Sequence, residues 1–74
     1  MKRDHETLEQ VGEALFGTSW QAPLSRALGV SDRTVRYWVA GASPVPDGVW
    51  GDIAKLCTAR RKALEAWSKK LQSG

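Results

Sequence analysis

The sequence predicts an all-α domain of four to five helices that ends in a long carboxy-terminal helix. Three observations carry that expectation. Apolar residues recur at spacings of three, four and seven within residues 4–16, 21–41 and 47–71, the period of a helix with one buried face. Gly17, Gly29 and the stretch from Gly41 to Gly48 punctuate these segments, as helix ends do. The 74 residues leave room for one small domain, since a chain of this size buries only about 60% of its unfolded surface. Residues 1–74 are read as that single domain, with no internal repeat and no low-complexity tract.

Asp4 is placed to cap a first helix running to about Phe16. Its apolar residues Leu8, Val11 and Leu15 stand at i, i+3 and i+7, with Glu6, Glu9 and Glu13 on other faces. Gly17 ends it. Residues 17–19 form a short connection in which Ser19 or its neighbour caps the next helix, and Pro23 falls in that helix's first turn, where a missing N–H costs little.

The stretch Gln21–Gly41 organises the chain. Leu24 and Leu28 lie four apart, Val35 and Trp38 three apart, and Val30 sits between the two pairs. These five residues are expected to form the inner faces of two short helices meeting at a corner. Gly29 follows the last apolar residue of the first helix, where a left-handed backbone is needed. Ser31 restarts the helix as its cap, and Asp32 places a negative charge in the first turn. Together these features are the sequence form of a helix-turn-helix.

After Gly41 comes ASPVPDG, a loop within the domain, because its two prolines cannot continue a helix. Asp47 opens a last helical pattern, about 47–71, which at about 1.5 Å per residue spans roughly 38 Å. Val49 or Trp50, Ile53 and Leu56 can close the bottom of the corner. Leu64, Trp67 and Leu71 form a stripe with nothing left in the chain to cover it. Trp50, Ile53, Cys57, Arg60, Leu64, Trp67 and Leu71 alternate three and four like a heptad seam interrupted by Arg60. The four tryptophans are large anchors that supply much of a small core.

The segment 21–41 resembles the DNA-binding helix-turn-helix of Cro and phage-repressor transcription regulators. Gln21, Leu24, Leu28, Gly29, Val30, Val35, Trp38 and Gly41 carry the likeness, and it extends in outline over about the first 56 residues. Ser25 stands where the family usually has alanine, and serine is small enough for the same place. The resemblance implies a lambda-repressor-like domain whose second motif helix enters a major groove. It also implies base-facing positions at Asp32, Arg33, Arg36 and Tyr37, and a backbone phosphate contact at Gln21.

The residues support the same assignment independently. The net charge of +3 is modest, but residues 19–46 carry three basic and one acidic group and residues 47–74 carry six and three, against two and four in residues 1–18. The middle and end can therefore face a polyanion. A helix that buries Val35 and Trp38 leaves Asp32, Arg33, Arg36 and Tyr37 outward. Arginine's planar fork matches the O6 and N7 acceptors of guanine, which makes Arg33 and Arg36 the base readers. Asp32 has three possible roles: helix capping alone, pairing with Arg36 four residues on, or accepting from a cytosine amine. Tyr37 either reaches a base edge or phosphate, or shields Trp38 or sits at a dimer edge. Trp38 belongs to the core.

Gln21 opens its helix where side-chain amide and backbone N–H groups can meet a phosphate. Ser43 and Thr34 are further phosphate contacts, and Arg26 and Lys55 are either phosphate contacts or solvated charges. The run Arg60–Lys62 points in three directions and reads as solvation of the last helix. The acidic face of the first helix is either solvated or keeps the wrong side of the domain off DNA.

One cysteine, Cys57, and one histidine, His5, build neither an internal disulfide nor a Cys/His zinc site. No apolar run approaches the roughly 20 residues of a membrane span, and the amino terminus lacks the apolar stretch of a secretory signal. The expected protein is cytoplasmic, has no cofactor, metal, membrane or small-molecule ligand, and is not an enzyme, for it has no nucleophile and base pair and no phosphate loop. The leading function is a homodimeric repressor of its own or a neighbouring promoter, joined through Leu64, Trp67 and Leu71 and reading an inverted repeat in double-stranded DNA. Regulators of phage and mobile elements look like this, including autorepressors encoded beside anti-CRISPR genes. The alternative is a protein-interaction module on the same fold, such as an antitoxin or a host-factor-binding protein.

Overall fold

A computed structural model describes residues 3–73. Four helices follow one another: α1 (His5–Phe16), α2 (Gln21–Leu28), α3 (Asp32–Val39) and α4 (Asp47–Ser73). There is no fifth helix and no strand among the described residues. None of the helices is long and apolar enough to cross a membrane.

Local chemistry explains most of the boundaries. The Thr7 N–H donates to Asp4 Oδ1 at 3.0 Å and opens α1. The Gly17 N–H closes it by donating to the Glu13 carbonyl at 2.8 Å. Gly29 is left-handed, with φ 73° and ψ 29°, a conformation glycine adopts without a Cβ penalty. In that geometry the Val30 N–H reaches back to the Ser25 carbonyl at 3.0 Å and the Gly29 N–H to Arg26 at 3.3 Å, the crossed pair of a Schellman stop. The same pair recurs after α3, from Ala42 to Tyr37 at 3.0 Å and from Gly41 to Trp38 at 3.1 Å. Helix α3 therefore ends at Val39, two residues before Gly41.

The start of α2 corrects one expectation. Neither Ser19 nor any other side chain caps it; the residue before its first turn is Trp20, which offers no acceptor. Trp20 is instead a core residue seated on α1. Its ring lies so close to Gly12 that a Cβ there would stand 2.3 Å from a ring carbon. Only a residue without a side chain lets the indole approach the helix backbone, so packing has displaced capping at this junction.

The core comprises Leu8, Leu15, Trp20, Leu24, Val35, Trp38, Trp50 and Ile53, with Val11, Leu28, Val30 and Leu56 partly buried around it. Helices α1 to α3 pack on one another, while α4 lies against α1 and α2 and makes no close backbone approach to α3. With 27 residues, α4 is about 40 Å long at about 1.5 Å per residue, and only its first part is needed to cover the core. The radius of gyration, 13.9 Å, exceeds the roughly 11 Å of a compact chain of this length because the remainder projects.

Candidate nucleic-acid interface

Helix α3 is eight residues long, about 12 Å at about 1.5 Å per residue, and a major groove is about 12 Å wide. Val35 and Trp38 hold its inner side in the core. Ser31 caps it: the Thr34 N–H donates to Ser31 Oγ at 3.2 Å, and the two hydroxyls lie 2.9 Å apart. Thr34 thus serves the cap with both its N–H and its hydroxyl. The hydroxyl keeps hydrogen-bonding capacity for a phosphate.

Asp32, Arg33, Arg36 and Tyr37 are exposed on the outer side of α3. Among the described residues no ion pair engages Arg33 or Arg36, so both guanidinium groups are open to an acceptor from outside. The expected alternative of an Asp32–Arg36 pair is not formed. The Asp32 carboxylate instead accepts from Ser25 Oγ, across the turn on α2. Ser25 is only 1% exposed, and its hydroxyl also lies 2.8 Å from the Ala22 carbonyl. One hydroxyl proton cannot be given fully to both, and a charged carboxylate is the stronger acceptor. The bond ties the two motif helices together and fixes the direction of the acid. The sequence marks Ser25 only as a residue small enough for its place.

Among the described residues no side chain caps the half-buried amino terminus of α2. Its first-turn N–H groups, on Gln21 and Ala22, have no side-chain acceptor among the described residues, and Gln21 itself is half-buried. Uncapped N–H groups at a helix start are donors for an anion. Ser43 lies half-buried in the loop after α3, at a shallow groove shared with Arg3, Asp4, His5, Trp38 and Val45. Arg26 is exposed in the last turn of α2. Lys55 is exposed on α4, on a shallow surface shared with Lys62. Asp32, Arg33, Thr34, Arg36 and Tyr37 thus share helix α3, while Gln21 and Arg26 lie on α2, Ser43 in the loop after α3 and Lys55 on α4.

No family model, characterised protein or solved structure matches this chain.

The third set of expected residues lies elsewhere. Leu64, Trp67 and Leu71 are 59%, 58% and 77% exposed. Trp67 has one intrachain neighbour of note, Lys70, whose Nζ stands 4.9 Å from its ring centroid. The heptad seam is divided at Arg60. Before it, Trp50 and Ile53 are buried and Cys57 half-buried against the chain's own core. Arg60 itself lies over the Phe16 ring at 5.9 Å, where the domain ends, and beyond it the seam is bare.

Proposed function

We propose that the protein is a sequence-specific double-stranded DNA-binding transcriptional regulator of the helix-turn-helix, lambda-repressor-like kind. The observation that carries this reading is α3 itself: a short, capped helix, anchored by Val35 and Trp38, that presents two unpaired arginines on its outer face. Arg33 and Arg36 read guanine edges, Tyr37 lies beside them, and Asp32, held by Ser25, accepts from a cytosine amine. Gln21 and the open α2 terminus, with Thr34 and Ser43, set the register on phosphates. The protein acts as a homodimeric repressor in the cytoplasm, of phage or mobile-element type, and carries out no catalytic step. Two recognition helices about 34 Å apart read an inverted repeat.

Selection from a random duplex DNA library at near-physiological salt tests this directly, because non-specific charge attraction fades with salt while base readout persists. An enriched inverted repeat with half-sites about one helical turn apart supports the reading. No enrichment by folded protein overturns it and favours a protein-interaction module, whose own supporting observation is the open Leu64–Trp67–Leu71 stripe. In that case Trp67→Ala removes activity while changes to Arg33 and Arg36 do not.

A further inference from the structure

We infer that the outer half of α4 is a docking surface for a second copy of this chain, and that the two helices pair antiparallel, Leu64 of each against the partner's Trp67. This deepens the dimer part of the function proposed above and does not depend on DNA binding.

The direction follows from what the domain already covers. Trp50, Ile53 and Cys57 occupy the first half of the seam and face the chain's own core, so the domain sits on the same side of α4 as the bare stripe. In a parallel pair both domains would lie at one end, between the helices, in the same space. Parallel alignment in register would also set Arg60 against the partner's Arg60. Antiparallel pairing puts the domains at opposite ends and brings each helix tip to the Phe16 end of the partner's α1.

Charge and size favour the same direction. The outer half is strongly basic, with Arg60, Arg61, Lys62, Lys69 and Lys70 against Glu65, so a partner copy is acceptable only if these charges do not oppose one another. Lys55, Lys62 and Lys69 are seven apart, which places them on the side away from the seam. At the seam's edges, antiparallel layering sets Arg61 beside the partner's Ser68 and Lys70 beside the partner's Ala63. Each cation meets a small neutral residue, and the small residues leave room for the partner's Trp67. Arg60 is drawn aside over Phe16 and does not close the seam.

The area sets the class of interface. With the exposures given above, the six apolar side chains of a pair remove roughly 800 Å² from water, below the about 1,200 Å² of a standard stable interface. The pair is therefore of the small, transient class.

Sedimentation of the full chain from low micromolar to submillimolar concentration, without DNA, tests the association. The expected result is a reversible monomer–dimer equilibrium whose dissociation constant rises at least tenfold in Trp67→Ala. That variant alters an exposed side chain, and an unchanged helix content by circular dichroism shows that it folds. Geometry is tested in a Cys57→Ala background by mixing Ala63→Cys with Lys70→Cys. Antiparallel helices oxidise to the mixed disulfide; in a parallel pair the two positions lie about 10.5 Å apart along the axis, beyond the roughly 3.5–4.5 Å Cβ separation of a disulfide. A chain that stays monomeric throughout, or a dimer that Trp67→Ala leaves intact, overturns the docking surface. A Trp67-dependent dimer without the mixed disulfide overturns the antiparallel geometry. In each case an operator found by DNA selection would still stand.

Discussion

In the α2–α3 corner, Leu24 and Val35 are wholly buried and the arginines point outward; in the outer half of α4 the same spacing of three and four leaves Leu64, Trp67 and Leu71 open. Periodicity alone does not distinguish these regions. What separates them is supply: α1, Trp20 and the first turns of α4 fill the space beside the corner, and among the described residues no other element lies over the Leu64–Trp67–Leu71 stripe. The corner's apolar stripe is covered within the chain, and that of α4 stays exposed.

The contrast is sharpest in stability. Leu24→Ala should cost about 2–5 kcal/mol, the range for emptying a packed site, while Leu64→Ala at concentrations where the chain is monomeric should stay within about 0.5 kcal/mol. Urea unfolding of both variants measures the difference, and equal losses would mean that the outer half of α4 is covered after all. On DNA, Arg36→Ala should lose about 1–3 kcal/mol of discrimination at one position in each half-site. Gln21→Ala should weaken all sequences alike. A binding profile in which both variants lose affinity uniformly would break that division within the corner.

A smaller effect belongs to the bond across the turn. Ser25→Ala should cost about 0.5–1.5 kcal/mol, and adding Asp32→Ala should cost little more, since each change alone already removes the bond. Additive losses in this double-mutant cycle would show that the two side chains act separately. The smallest effect is at Asp4. The Thr7 N–H, donating to the carboxylate, holds Asp4 below its ordinary range. The cap therefore stabilises fully above the ordinary value of about 3.9 and loses its contribution as pH falls through the lowered folded value. Asp4→Asn keeps an acceptor and should flatten that acid dependence, read as the gap in melting temperature between variant and parent on either side of the carboxylate range.

Much of the corner was legible because its signals are local. Asp4, Gly29 and Ser31 each act on backbone groups within a few residues, and Leu24, Val35 and Trp38 follow one period. The contacts of Trp20 and Ser25 were not legible, because their partners are not neighbours in sequence. Trp20 continues the spacing of Leu24 and Leu28 by one step of four, and Gly12 stands four after Leu8 on the buried side of α1. That pair of signals could have placed the indole on the glycine. Ser25 and Asp32 are seven apart with a turn between them, and no helical period predicts such a contact. The division of the seam at Arg60 depended on where α1 ends in space, which spacing along α4 does not encode.

Three of the four indoles are sheltered in the core, and that of Trp67 stands in water beside the Lys70 ammonium. The protein thus carries its own optical reporter. Light emitted by Trp67 is open to quenching by dissolved iodide, an anion that Lys70 attracts, while Trp20, Trp38 and Trp50 are screened by the side chains around them. The iodide-sensitive part of the fluorescence reads whether the far end of α4 is bare or covered. The insensitive part reads whether the domain remains folded, so a single unlabelled sample separates association from unfolding.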